Sequence, residues 1–288
     1  MRVARTPAEL GATDRAVAIG TFDGLHRGHQ AVVQAALDSG LLPTVVTFDP
    51  HPRTVLGNRV ELLSSLERRL ELLEAFGVEE TLVVEFTPEI AQLEPRAFAS
   101  EYLLGIGARI VVAGAGFHFG QRREGDLDTL RGLGIDARDV PLVEGVSSTL
   151  IRKLAHEGDV VGAAPLLGRP IEVDGLVVSG DQRGGTLGFP TANLQVGADL
   201  LVPGFGIYAG AVGDRRAAIS IGVNPHYGGT ERRVEAYLLD YDGDLYGRRL
   251  VVELWEHLRD EAAFGSVEEL VEQIGVDVLR TREVRRPA

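Results

Sequence analysis

Short apolar runs alternate with amphipathic stretches through the first half of the chain. AVAIGTF (16–22) and LPTVVTF (42–48) read as buried strands, and HQAVVQAALDSG between them has helical spacing and closes on Gly40, which suits a C-cap. SSLERRLELLEAFGV (64–78) repeats the helical pattern, TLVVEF (81–86) reads as a strand, EPRAFASEYLLGIG (94–107) as a helix and ARIVVAG (108–114) as another strand. Strand–helix–strand alternation of this kind predicts a parallel sheet covered by helices.

The period changes after Ser147. SSTLIRKLAHEG (147–158) is helical, with Ser147 or Ser148 placed to cap it. From about Arg169 strands dominate: IEVDGLVVSG, GIYAGAVG, RAAISIGV, RVEAYLLDY and RRLVVELWEHL, separated by turn signals such as YDGDLYG. That spacing predicts antiparallel hairpins or a barrel. An amphipathic helix, SVEELVEQIGVDVLR, closes the pattern, with Val267, Leu270, Val271 and Ile274 forming a core-facing stripe. The division between the halves is expected near residues 158–168, in GDVVGAAPLLG. A length of 288 residues suits two domains.

Composition narrows the chemistry. Cysteine is absent, so disulfides, thiolate catalysis and cysteine-based zinc sites are excluded. The net charge of −13 lacks the basic footprint of a general nucleic-acid binder, so any phosphate must be met by local arginines, helix N-termini or a metal ion. A single lysine, Lys153, stands against 28 arginines. The N-terminal residues show no apolar signal-peptide core, and no apolar run approaches a membrane span, so a cytoplasmic protein without a membrane partner is expected.

The stretch GTFDGLHRGHQ (20–30) sits where a strand turns into a helix, the place where open α/β folds bind ligands. Gly20, Gly24 and Gly28 let the backbone approach a phosphate, and the helix start near His29 adds free N–H groups. His26 and His29 then donate hydrogen bonds to phosphoryl charge; alternatively they hold a metal, or cap a helix and fill the turn. Ser147, Ser148 and Thr149 open a helix toward an anion, with Arg152 one turn on to fork onto a phosphate; an ordinary capped helix is the rival reading. In SGDQRGGTLGFPTAN (179–193) the glycines make a pliable phosphate loop, and Thr191 and Asn193, two apart on extended chain, point the same way. Glu235, in a strand of apolar alternation, is either paired with Arg232 or Arg233 or doing chemistry.

GTFDGLHRGHQ resembles the (H/T)xGH signature of α/β nucleotidylyltransferases. With VVTFDPHPR (45–53), FHFGQRREGD (117–126) and VSSTLIRK (146–153), it resembles the adenylyltransferase half of the bacterial bifunctional riboflavin kinase/FAD synthetase family; GDQRGGTLGFPTANL, GIYAG, SIGVNPHYGG and VEAYLLDYDGDLYG resemble its kinase half. The likeness runs in order over nearly the whole chain. It implies a Rossmann-like FMN adenylyltransferase domain with a parallel sheet over residues 1–160, and an antiparallel riboflavin-kinase β-barrel with a terminal helix over 161–288.

The implied activity is phosphorylation of riboflavin to FMN and adenylylation of FMN to FAD, both with ATP and Mg²⁺. The small-molecule substrates would be the partners of a monomer or weak homo-oligomer. By resemblance, Gly20, Thr21, Phe22, His26, Gly28, His29, Ser147, Ser148, Thr149 and Arg152 serve the nucleotide of the first step. Gly180, Arg183, Gly184, Thr186 and Gly188 serve the nucleotide of the second, with Thr191 and Asn193 holding Mg²⁺ alongside ATP oxygens and Glu235 as general base. Phe48, Pro52 and Phe117 are implied at the flavin of the first site, and Arg259 and Phe264 at that of the second.

The chain departs from the family's usual pattern in its connections around residues 38–43 and 130–140, which look shorter than typical, and at three residues. Gly116 replaces an Asp or Asn, Tyr237 a frequent histidine, and His226 a common threonine. A kinase whose N-terminal half is degenerate or uses another nucleotide, and a flavin-binding regulator without turnover, are the alternative functions.

Overall fold

The computed structural model describes residues 1–180, 187–223 and 232–287. Its contacts divide into two compact units, Met1–Val60 with Leu66–Val146, and Glu61–Ser65 with Ser147–Ala288. The segment 158–168, expected as the connection, is instead largely the helix Val160–Leu167, whose Val160, Ala163 and Leu167 join the core of the second unit.

The first unit is built on a six-stranded sheet in the order β1-β4-β3-β2-β5-β6, every pair parallel. The strands are β1 (Arg2–Ala4), β2 (Arg15–Ile19), β3 (Leu42–Asp49), β4 (Glu80–Glu85), β5 (Ala108–Gly114) and β6 (Asp136–Val140). β2 is buried on both faces: Ala16 and Ala18 enter one core cluster with Val32, Val33 and Leu73, while Val17 and Ile19 enter another with Leu82, Phe98 and Val111. That two-sided burial explains its unbroken apolar run.

β1 and β6, at the sheet edges, were not expected. One is three residues long and the other reads DARDV; short, charged edge strands carry no apolar signal and guard against edge pairing. The expected helix at 94–107 forms in pieces: Pro95–Phe98, a π turn over Ala99–Leu103 and a 3₁₀ turn at Leu104–Ile106.

The second unit is a closed antiparallel barrel of β7 (Ile171–Val178), β8 (Ala192–Val196), β9 (Gly206–Val212), β10 (Arg215–Val223), β11 (Arg232–Leu238) and β12 (Arg249–Arg259), in the order β10-β11-β8-β7-β12-β9. Val173, Leu194, Tyr208, Ile219, Val234, Ala236 and Val252 fill its interior. The helix Ser148–His156 contributes Ile151 and Ala155 to the same core. The terminal helix Val267–Glu283 packs on the outside, against β9 and β10.

Candidate functional site

In the first unit the chain runs from β2 to β3 and β4 on one side, then returns to β5 on the other side of β2. That reversal puts the loops after β2 and β5 at a topological switch point, the crevice where such sheets take ligands. The turn after β2 holds Gly20, whose N–H donates to the Val46 carbonyl at 3.1 Å, and Thr21, whose carbonyl accepts from Thr47 Oγ1 at 3.0 Å. His26 then caps the helix Arg27–Leu37, accepting the His29 backbone N–H on Nδ1 at 3.3 Å. A neutral His26 that accepts on Nδ1 carries its proton on Nε2.

The imidazoles of His26 and His29 stack, with centroids 3.7 Å apart and planes at 14°. Phe22, expected to line the cleft, is buried; its ring meets His29 edge-on at 5.4 Å and serves as a supporting wall. Gly28 is the second residue of the helix.

Phe48 closes β3 and is also buried, edge-on to Phe86 at 5.7 Å. Pro52 opens the short helix Pro52–Val55, capped by His51. Phe117, after β5, stacks on Phe119 at 5.6 Å and packs against the same aromatic cluster. Gly116 sits in the left-handed region at φ +75° with open space where a side chain would stand.

Residues 147–152 belong to the second unit. Ser147 caps the helix Ser148–His156, accepting from the Leu150 N–H at 3.2 Å, as its position predicts. Thr149 is exposed and Ser148 half-buried in the first turn. Arg152 donates through Nε to the Glu61 carbonyl at 2.6 Å, so part of its fork holds the segment Glu61–Ser65.

The second unit's polar cluster lies on the outer wall of the barrel. Along β11, Val234, Ala236 and Leu238 point into the core, so Arg233, Glu235 and Tyr237 point outward. Register sets Glu235 opposite Asn193 of β8 and Ser220 of β10. Thr191 Oγ1 donates to Glu235 Oε2 at 3.0 Å, and Arg233 Nε lies 2.8 Å from Glu235 Oε1. The same guanidinium donates to Asn193 Oδ1 at 2.9 and 2.7 Å. A Cβ at Gly180 would stand 2.3 Å from Asn193 Nδ2, so glycine is required there for Asn193 to keep its place. Of the two arginines considered, Arg233 makes the pair; Arg232 lies over the Phe205 ring at 5.5 Å.

A cavity of about 290 Å³ opens beside Glu235 and Thr191, with Phe189, Tyr237, Leu270 and Ile274 among its walls. Tyr237 meets Phe189 edge-on at 5.4 Å. The terminal helix therefore gives Leu270 and Ile274 to this cavity, while Val267, expected in the core-facing stripe, is exposed. The register shift where β12 meets β9 brings Arg259 opposite Ile207, and both line the cavity. Arg259 is pinned by Asp277 Oδ2 at 2.8 Å and lies over the Phe264 ring at 5.7 Å.

Asp277 and Glu261 escaped sequence reading because only the folded helix and strand end bring them to this wall. Burial pushes the Glu261 carboxyl up from its ordinary value, against the pull of Arg259. Gly188 lies at φ +86° just before Phe189; Arg183, Gly184, Thr186 and His226 lie outside the described residues.

Among the described residues no group of three or more His, Asp or Glu gathers to hold a metal, and no helix is long and apolar enough to cross a membrane. Thr191 and Asn193 carry neutral oxygens of the hard kind that magnesium takes beside nucleotide and water, and Asn193 Oδ1 would exchange its bonds to Arg233 for the ion.

Comparison with known proteins covers both units. A family model described as FAD synthetase matches residues 10–150, and one described as riboflavin kinase matches residues 167–285. Proteins named bifunctional riboflavin kinase/FMN adenylyltransferase match from Listeria monocytogenes (36% identical, 96% of this chain and 94% of that one) and Bacillus subtilis (35%, 91% and 89%). The Escherichia coli protein of that name is 35% identical over 92% of this chain and 91% of its own. A crystal structure titled as a macrolide-efflux protein from Streptococcus pneumoniae superposes with a TM-score of 0.86 at 31% identity, over 98% of this chain and 99% of that one.

Proposed function

The chain belongs to the bifunctional riboflavin kinase/FMN adenylyltransferase family, and on that premise we propose which unit and which residues carry each step. The enzyme phosphorylates riboflavin to FMN with ATP and then adenylylates FMN to FAD, releasing pyrophosphate.

Phosphorylation belongs to the barrel. The observation that carries this reading is the bonded quartet Thr191, Asn193, Arg233 and Glu235, of which Thr191 and Glu235 line an apolar-walled cavity. Glu235 accepts the proton of the riboflavin 5′-hydroxyl as its oxygen attacks the γ-phosphorus of ATP and the bond to the β-phosphate oxygen breaks. Arg233 and Thr191 aim the carboxylate, one on each oxygen. Thr191 and Asn193 would hold Mg²⁺, which supplies neutralisation of phosphate charge when bound. Arg183, Gly184 and Thr186 keep the phosphate-loop role that the resemblance implies, with Gly180 and Gly188 flanking them. Phe189, Tyr237, Ile207, Leu270 and Phe264 wall the flavin, with Arg259 held among them by Asp277.

Adenylylation belongs to the parallel-sheet unit. The FMN phosphate is already ionised near neutrality, so its oxygen attacks the α-phosphorus without a base and pyrophosphate leaves. His26 and His29 stabilise charge on the phosphates, supported by Phe22 and the backbone of Gly20, Thr21 and Gly28. Phe48, Pro52 and Phe117 receive the flavin. Ser147, Ser148, Thr149 and Arg152 keep an anion-binding role at the start of their helix.

On this reading the enzyme works in the cytoplasm, as a monomer or weak homo-oligomer. Incubation with riboflavin, ATP and Mg²⁺, with flavins separated over time, should show FMN rising first and FAD following. FMN without FAD, with each nucleoside triphosphate supplied in turn, would leave a kinase alone. Tight flavin binding with neither product would leave a regulator.

A further inference from the structure

Arg69 lies on the helix Leu66–Ala75, within a stretch whose spacing reads as ordinary core packing, yet its side chain is 1% exposed. A guanidinium keeps its charge, so burying one is costly unless its donors are matched. Its hydrogen bonds fall on the carboxyl end of one strand, β3, which relays them to the turn after β2. Nη1 donates to the Phe48 carbonyl at 3.0 Å and to Thr47 Oγ1 at 3.3 Å, at the end of β3. Thr47 in turn donates to the Thr21 carbonyl at 3.0 Å, in the turn after β2. Burial pulls the Arg69 pKa down, while the carboxylates of Asp23 and Asp49 oppose the shift. Nε and Nη2 are buried and have no hydrogen-bond partner among the described residues.

A cation so incompletely matched is a weak contributor to stability. Both residues it bonds lie at the start of the Phe48 loop, and Thr47 passes the hold on to the turn that carries the imidazole pair. We propose that Arg69 is a positioning residue for adenylyl transfer: through Thr47 and Phe48 it holds the turn of residues 20–29 in register with residues 47–52. This inference rests on the assignment of adenylylation to the first unit.

The test uses the full chain with FMN, ATP and Mg²⁺. Arg69→Gln should lower kcat for FAD formation by roughly 10²-fold, the scale of a small misplacement of a reacting group. The KM for FMN should stay within about threefold, because binding is not what is lost. Arg69→Lys keeps the charge but not the fork and should recover part of the rate. Amide hydrogen exchange of β2, β3 and β5 counts the folded fraction in each variant.

Full kcat in Arg69→Gln overturns the proposal, and so does a loss that disappears once kcat is expressed per folded molecule. His29→Ala separates the two failures. If it abolishes FAD formation while Arg69→Gln does not, only the role of Arg69 falls. If both variants form FAD normally, the assignment of the step to this turn falls with it.

Discussion

On the proposed assignment, the two units handle phosphate with different chemistry. The first presents stacked imidazoles and backbone N–H groups at a strand-to-helix turn, with its charged support, Arg69, kept behind the surface. The second presents a carboxylate, a guanidinium, a hydroxyl and an amide bonded to one another on the outside of a barrel. The difference follows from the nucleophiles. An FMN phosphate arrives ionised and needs only alignment and charge stabilisation, whereas an alcohol must lose a proton as it attacks. On that assignment a base is built only where the substrate lacks one.

The sharpest way to break this contrast is Glu235→Gln. FMN formation should fall by roughly 10²- to 10⁴-fold, while FAD formation from supplied FMN stays at the wild-type rate. Riboflavin binding, followed by flavin fluorescence, should persist. Equal losses in both steps would mean that the carboxylate is structural.

The next largest effect should come from Arg259→Met. It strands the Asp277 carboxylate, which is 4% exposed at its side chain, and should destabilise the second unit by about 3 kcal/mol. Thermal unfolding followed with each substrate present should show the loss in the riboflavin-binding transition, with a raised KM for riboflavin. FAD formation from FMN should fall less than FMN formation, since the contacts that hold the β2 turn lie within the first unit.

Gly116→Asn sharpens the comparison from the other side. At φ +75° with open space, asparagine is among the residues that the backbone tolerates, so the stability cost should stay within about 1 kcal/mol; valine should cost more, roughly 1–2 kcal/mol. An added amide at the first crevice should raise kcat/KM for adenylylation by up to about tenfold, the worth of one hydrogen bond. An unchanged value would place that side chain away from substrate.

The smallest effect is a titration. Tyr208 donates to the Gly204 carbonyl at 2.6 Å, and burial holds its phenol up to about 12. With the folded pKa raised, its contribution to stability is whole below the ordinary phenol value near 10 and is lost as pH rises through 12. Ultraviolet phenolate absorbance should show a late-ionising component near pH 12 in the wild type that is lost in Tyr208→Phe, with both transfer rates at neutral pH unaltered.

Some of this molecule is legible residue by residue. The GTFDGLHRGHQ turn can be read because strand, glycines, cap and helix all fall within one short stretch, so each feature depends on near neighbours. Ser147 could be named as a cap for the same reason. The alternation in RVEAYLL put Glu235 on the face opposite the barrel core, and the nearby arginines announced its partner, though not which of them it would be.

Other features carry no such local mark. The edge strands β1 and β6 are too short and charged for a periodic signal, and the helix Val160–Leu167 contains Pro165 and glycine in a stretch that reads as a connection.

By itself the sequence determined the two periodicities, the cysteine-free chemistry and the polar residues available for phosphate, because these depend on residue type and on neighbours a few positions away. Only the folded chain decided that Arg259 is held by Asp277, that Arg69 reaches across to Thr47 and Phe48, and that the terminal helix closes a cavity on the barrel's outer wall. Those contacts span elements distant along the chain, and the cost of bringing such segments together is repaid only by the packing of a whole unit, which no single stretch of sequence contains.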